Sequence, residues 1–375
     1  MIALHLMPSL GPVRISRLIR VFGSARAATN AADEDLAAVS GIGPRLAARI
    51  VGKRASLDAA EELRRAAAVG ARVLTWLDAG YPARLRDLQD APPVVYLRGA
   101  WDGSFEPAVA IVGTRRPSAY GLDVAGGLGE ALGEAGVVVI SGLARGIDRA
   151  AHAGALRRGG KTVAVLGCGV DIVYPREHRT LMEAMLSRGG VVSEAPMGVR
   201  PERQRFPLRN RLISGMAQAV VVVEGAVDSG SLITARHARD QQRDVYAVPG
   251  SVFAPESRGP HHLLTEGARV LRDPAELLER LGIVHPPRAG ETSLEPLSED
   301  EARVVAALGE AAVHIDGIIE RSGLGAGRVA AALATLEVRG IVRQCPGKWF
   351  AKRSGFREAV EEPAGGDRWP NLLSS

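Results

Sequence analysis

The sequence predicts an α/β fold: a mostly parallel, doubly wound sheet with a helical domain before it and a winged-helix-like domain after it. Three observations predict this. Between Ala108 and Leu271 one unit recurs, a short apolar strand, a loop of Gly, Ser and Thr, then a helix start. Strands such as VAVLG and AVVVVE are near-continuously apolar, as strands covered on both faces are. The 375 residues, 46% hydrophobic, suffice for two or three domains around a sizeable core.

The elements follow in order. Residues 1–74 read as small helices, with LGPVRISRLIRVFG and SGIGPRLAARIVG each setting a Gly turn before an apolar-periodic helix. Gly41-Ile42-Gly43-Pro44 has the form of a helix-hairpin-helix turn, in which glycines permit the bend and free N–H groups can face a phosphate. It equally fits a structural packing module. Residues 75–104, rich in Pro and turn residues, read as a connector packed on the next domain. Residues 105–282 form the α/β domain, whose ligand is expected beyond the strand C-terminal ends. Residues 283–297 read as a Pro-rich linker. In 298–353, Ser298 and Glu301 form a capping box. A helix, a Gly turn and a helix follow, then strand, turn and strand, which is a winged-helix-like order. The presumed recognition helix, GRVAAALATLEVRG, carries few base-reading side chains and favours a protein contact or weak backbone binding. Residues 354–375 lack a pattern and are expected to be a disordered tail.

The loops carry the candidate chemistry. Gly113-Thr114-Arg115-Arg116 offers bare backbone, a hydroxyl and a guanidinium fork to a phosphate, or else a tight turn with surface arginines. Ser141-Gly142 opens the second loop, and Asp148, in the first helical turn, is expected to brace a neighbouring loop rather than act as a base. Gly167 permits close approach in the third loop, where Cys168 has no nearby His to activate it. Arg200 to Arg211 holds five Arg, one acid, Glu202, and Phe206. Clustered Arg around an aromatic suits a single strand, charge for the backbone and a ring face for a base, though a solvated Arg-rich loop has the same composition. Asp228, Ser229, Gly230 and Ser231 open a helix as a phosphate nest or as plain N-caps.

Several classes are excluded. The G-x-G-x-x-G fingerprint is missing, against a nicotinamide or flavin enzyme, and no cofactor is expected. Cys168 and Cys345 form no metal or redox pattern, and His261-His262 alone does not make a metal site. No apolar run reaches a membrane span's length, and no basic stretch precedes an apolar block at the N-terminus, so a cytoplasmic protein is expected. The net charge of +5 hints at nucleic acid.

Together these blocks closely resemble the DprA/Smf family, the bacterial DNA-processing proteins of natural transformation. The matching runs include GTRRPSAYG, SGLARGID, TVAVLGCGVDIVYP, SEAPMG, FPLRNRLISGMAQAVVVVE, SGSLITARHA, VYAVPGS and GPHHLLTEGA, over about 108–271. The resemblance implies a SAM-like or helix-hairpin-helix N-terminal domain, an extended Rossmann-like core and a C-terminal winged helix. It implies no catalysis, but a homodimer that binds and protects single-stranded DNA and loads RecA alongside single-strand-binding protein. By motif match, Gly113, Thr114, Arg115, Ser141, Gly142, Gly167, Phe206, Arg209, Asn210 and Arg211 should line the strand-binding groove, with Gly230 and Ser231 as a further carry-over. His178 and His261 stand where the family usually has Asn, and are expected to tie loops as Asn would. The alternative is a nucleotide phosphoribohydrolase-like enzyme; there Thr234 occupies the place of the catalytic Glu and only Glu224 could substitute.

Overall fold

The computed structural model describes residues 1–101, 106–283, 297–309, 312–339, 341–345 and 347–352. The chain divides into two units, Met1–His285 and Pro286–Ser375. The first is organised by a sheet with nine strands among the described residues: β1 (Ala71–Thr75), β2 (Val94–Arg98), β3 (Ala108–Val112), β4 (Val138–Ser141), β5 (Thr162–Leu166), β6 (Gly190–Ser193), β7 (Ala219–Val222), β8 (Asp244–Ala247) and β9 (Arg269–Val270). Their order is β1-β2-β6-β5-β4-β3-β7-β8-β9. From β6 to β9 all neighbours are parallel, whereas β2 joins β6, and β1 joins β2, antiparallel.

The expected connector is thus part of the sheet. Val94, Val95, Tyr96 and Leu97 are all buried. The prolines before them, Pro92 and Pro93, mark the strand's entry and remove no ladder bond.

Helices cover both faces. Leu128 and Leu132 of helix Ala119–Glu134, Ile147 and Ala151 of helix Ile147–Arg157, and Leu277 pack on one. Leu212 and Ile213 of helix Arg205–Gly215, Leu232 and Ala235 of helix Gly230–Asp240, and Leu263 pack on the other. Burial on both sides is why these strands need no polar alternation. Helices Ala119–Glu134 and Ile147–Arg157 meet through glycines: a Cβ on Gly129 would lie 2.3 Å from the Ala151 carbonyl oxygen, and one on Gly154 2.2 Å from that of Gly126. From β3 the chain steps through β4, β5 and β6, then returns to β7 on the other side of β3. The helices after β3 and β7 lie on opposite faces, so the topological switch point falls between these two strands.

The N-terminal helices close their own core around Leu4, Leu18, Leu36 and Ile50. Gly11 and Gly43 are N-caps followed by Pro at the first helical position. Arg14 Nε and Arg17 Nη1 donate to the carbonyls of Gly41 and Ser40, at 2.9 and 3.1 Å, so side chains of the same module hold the hairpin turn. Glu62, on helix Ala59–Ala68, is buried and accepts from Met197 N at 2.7 Å, which fastens that helix to the strand-end loops.

In the second unit, helices Glu299–Ala307, Ile315–Ser322 and Ala326–Val338 pack with β10 (Val313–His314), β11 (Val342–Cys345) and β12 (Trp349–Lys352), in the sheet order β10-β12-β11. The capping box forms, with Ser298 N donating to Glu301 Oε2 at 2.8 Å. Arg328 pairs with Asp300 and Arg339 with Glu301. Most of the expected linker and the expected tail lie outside the described residues. Among the described residues no helix is long and apolar enough to cross a membrane.

Candidate nucleic-acid interface

The crevice at the switch point, the usual ligand seat of such sheets, is filled by protein. Glu224, at the end of β7, is 3% exposed. Its carboxylate accepts from Ser118 N (2.9 Å) and Ser118 Oγ (2.5 Å), and its carbonyl accepts from Thr114 N (2.7 Å). A Cβ on Gly121 would strike the carboxylate. Glu224 therefore clasps the loop after β3, buried and with both carboxylate oxygens engaged by Ser118.

The pocket lies one step along the sheet, over the ends of β4 and β5. Its walls include Arg115, Gly142, Arg145, Gly167, Tyr174, Phe206 and Arg209, and it encloses about 30 Å³. Phe206, on the first turn of helix Arg205–Gly215, is its centre. The Arg115 guanidinium carbon lies 5.4 Å from the Phe206 ring centroid, and the Tyr174 ring stacks on it at 5.7 Å with an interplanar angle of 27°. Arg115 is exposed and, among the described residues, has no carboxylate partner. The same holds for Arg116, Arg176, Arg200 and Arg203. A free guanidinium beside a ring can bind a phosphate while the ring meets a base.

The glycines make room for protein atoms rather than for a ligand. A Cβ on Gly142 would lie 2.4 Å from Arg209 Nη2, one on Gly113 2.5 Å from the Ile147 side chain, and one on Gly167 3.1 Å from the Phe206 ring. Ser141 is fully buried, its hydroxyl donating to the Ile111 carbonyl at 2.6 Å. Thr114 Oγ1 accepts from Arg116 N at 3.2 Å and shapes its own turn.

Arg209 touches the pocket from beneath. It is 5% exposed, and Nη1 donates to the carbonyls of Gly142, at 2.9 Å, and Val165. Burial lowers its pKa to about 10, with Asp148 opposing the shift. Asp148 braces its loop, accepting from Gly142 N (3.1 Å) and Ala144 N (3.2 Å). Burial pushes its carboxyl upward, and Arg209 pulls it back. Cys168 lines the pocket, its thiol pushed up to about 11 by burial, which suits a wall and not a thiolate.

Five of the twelve expected groove residues line the pocket, Arg115, Gly142, Gly167, Phe206 and Arg209, whereas Gly113, Thr114, Ser141, Asn210, Arg211, Gly230 and Ser231 do not. Arg211 is buried and paired with Asp90 (3.0 Å) and Glu194 (2.5 Å), so its charge is spent inside the fold. Asn210 is buried and donates to the Gly230 carbonyl at 3.0 Å, joining two helices. The Ser231 hydroxyl is buried against Ser229 Oγ at 2.7 Å, and Ser229, which stands at the N-cap, makes no side-chain cap bond. His178 Nδ1 donates to the Leu143 carbonyl (3.0 Å) and His261 Nε2 to that of Gly250 (3.1 Å), so both histidines tie loops. Sequence reasoning missed Tyr174 and Arg145. Both stood inside matched runs, but only the fold sets them against Phe206 and the strand ends.

The family model described as DNA recombination-mediator protein A matches residues 72–282, and the DprA winged helix domain matches residues 286–348. Protein Smf of Synechocystis sp. is 34% identical over 381 residues, covering 92% of this chain and 96% of that one. The X-ray structure of DNA processing protein A from Streptococcus pneumoniae superposes with a TM-score of 0.65 at 33% identity, covering 73% of this chain and 95% of that one. DNA processing protein A from Helicobacter pylori, whose structure was described for its single-stranded DNA binding mode, superposes with a TM-score of 0.51 at 28% identity. That match covers 56% of this chain and 95% of the other.

Proposed function

The chain belongs to the DprA/Smf family of DNA-processing proteins, and from that membership we propose that it is a non-catalytic recombination mediator. It binds and protects incoming single-stranded DNA and, as a homodimer, loads RecA in concert with single-strand-binding protein. The single observation that carries the reading is the grouping at the ends of β4 and β5 of an unpaired, exposed Arg115 with the Phe206 ring. That pair supplies both parts of sequence-independent recognition, a cation for the phosphate rail and an aromatic face for a base. Arg116, Arg176, Arg200 and Arg203 extend the positive surface from neighbouring chain positions.

The test is a fluorescence-anisotropy titration of a labelled oligothymidylate across salt. Tight binding at low salt should weaken steeply as salt rises. Arg115→Ala should cost about 1–3 kcal/mol of affinity, and Phe206→Ala a similar amount through lost stacking. Arg115→Ala should leave thermal stability within about 0.5 kcal/mol of the wild type, as surface changes do, whereas Phe206→Ala also gives up packing on Tyr174 and Gly167, so its affinity is measured where melting shows it fully folded. Equal affinity for duplex and single strand, or full affinity in Arg115→Ala, sinks the assignment. Loading is read separately, as RecA filament formation on oligonucleotides already coated with single-strand-binding protein.

A further inference from the structure

Beside the pocket an acidic side chain, Glu177, holds one of the lining cations, and this geometry points to a second use of the site. Arg145, on the loop after β4, lines the pocket. Its Nε and Nη2 both converge on Glu177 Oε1 at 2.5 Å. Glu177 belongs to the short turn Arg176–His178, directly after the Tyr174-Pro175 pair of the opposite wall. We propose that Arg145 is a further phosphate contact of this pocket, held in reserve by Glu177, so that an incoming strand displaces the carboxylate and takes its place on the guanidinium. The proposal rests on the single-strand reading above and names a residue pair that sets its affinity.

Four features support the exchange. The two loops are already joined from inside by the buried bond from His178 Nδ1 to the Leu143 carbonyl at 3.0 Å. The outer ion pair is therefore not needed to hold them. Its side chains are 64% and 49% exposed, and an ion pair so exposed contributes little and breaks readily. The edge of the guanidinium that Glu177 occupies, Nε with Nη2, is the edge that donates to two phosphate oxygens in a forked contact. Finally, Arg176 and Arg179 beside Glu177 are exposed and have no carboxylate partner among the described residues. A polyanion arriving there meets a field that draws it in, with Glu177 as an opposing charge that it displaces.

The experiment compares wild type, Glu177→Gln, Arg145→Ala, the double variant and Glu183→Gln by anisotropy with a labelled oligothymidylate at several salt concentrations. Glu183 is an exposed residue of the next helix, so its change alters net charge equally away from the mouth. Glu177→Gln should tighten binding roughly three- to fivefold at low salt, the scale on which exposed ion pairs compete. Arg145→Ala should weaken binding and make the logarithmic salt slope shallower by about 0.7, one phosphate contact on a single strand. The double variant should match Arg145→Ala, because without the arginine there is nothing for Glu177 to withhold. Melting curves of Glu177→Gln should overlay the wild type, since the His178 tie remains. The proposal is overturned if Glu177→Gln gains no more than Glu183→Gln, or gains as much without Arg145 as with it. Failure of the wild type to bind any single strand would remove the underlying reading and this exchange together, whereas normal wild-type binding with an unresponsive Glu177 removes the exchange alone.

Discussion

Arg209→Met separates a staple from a DNA contact. Methionine keeps most of the side-chain length and removes the charge and the donors. In the wild type the guanidinium is buried and holds the carbonyls of Gly142 and Val165, the last groups of two adjacent strand ends. Its charge also opposes the cost of burying the Asp148 carboxylate. Removing one member of a buried charged pair costs about 3–5 kcal/mol. Leaving a buried carbonyl without a donor costs about 1–3 kcal/mol in its own right. These overlap, and a total near 4 kcal/mol is a large part of the roughly 5–15 kcal/mol that stabilises a typical protein. Urea denaturation at pH 7 should therefore show a midpoint far below that of the wild type, with Arg115→Ala measured beside it and nearly unchanged. Under conditions where both variants are fully folded, Arg115→Ala should be the weaker DNA binder. An Arg209→Met protein as stable as the wild type but unable to bind single strands would refute the argument and return Arg209 to the role that its motif implied.

Three further outcomes are expected. Gly129→Ala sets a Cβ 2.3 Å from a backbone oxygen. The overpacking cost, about 1–3 kcal/mol or more, should outweigh the roughly 1 kcal/mol gained in helix propensity, and thermal melting reads the difference. Glu224→Gln removes an accepting oxygen from the Ser118 clasp and should lower the melting temperature. Neither it nor the wild type should release free base from a nucleoside monophosphate, and wild-type release lost in the variant would make the protein an enzyme. Burial lowers the pKa of His152 to about 3 and of His5 to about 4, while the unfolded chain titrates near 6.5. The unfolded state thus binds protons first, so the stability these histidines contribute is present above about pH 6.5 and falls by about 1.4 kcal/mol per pH unit each as pH drops toward 4. Asp148 and Glu194, both raised by burial, act in the opposite sense, so the comparison to make is the slope of urea midpoints between pH 7 and 5 in His152→Gln, which should be shallower than in the wild type.

The sheet and its strand-end loops were legible in the sequence because period and punctuation report them directly. An apolar run ending in Gly and a helix start leaves little choice of local structure. Side-chain direction was harder. Arg209 and Arg211 look equivalent in RFPLRNR, yet on a helix two residues span about 200°, so they face opposite ways. Phe206 and Arg209 are three apart and share a face, which is why one helix sends that pair to the pocket and Arg211 to Asp90 and Glu194. Reading the stretch as a cluster of arginines around one aromatic, without a helical phase, hid this distinction. β2 was hidden differently, since Pro92 and Pro93 drew attention from the buried VVYL run that follows them. Nor does a glycine state what approaches it, and at Gly113, Gly142 and Gly167 the close neighbour is the protein itself.

The position of the pocket follows from how the switch point is used. In a doubly wound sheet the crevice between oppositely directed crossovers is the natural opening. Here a buried carboxylate closes it, because Glu224 ends β7 and Ser118 caps the helix after β3 directly across from it. Closing that crevice fixes the loop that carries Arg115. The next opening, over β4 and β5, would be an ordinary strand-end hollow, but helix Arg205–Gly215 approaches from the opposite face and sets Phe206 against Gly167. Arg209 then secures both strand ends from below. The site is thus an aromatic ring on a rigid floor, with the exposed Arg115 on a clasped loop. On the proposed reading recognition occurs at the rim of this hollow, where Arg115, Tyr174 and the Arg145–Glu177 pair stand. A rim contact reads charge and stacking without reading base edges, which is the property that a protein needs if it is to take up whatever strand arrives.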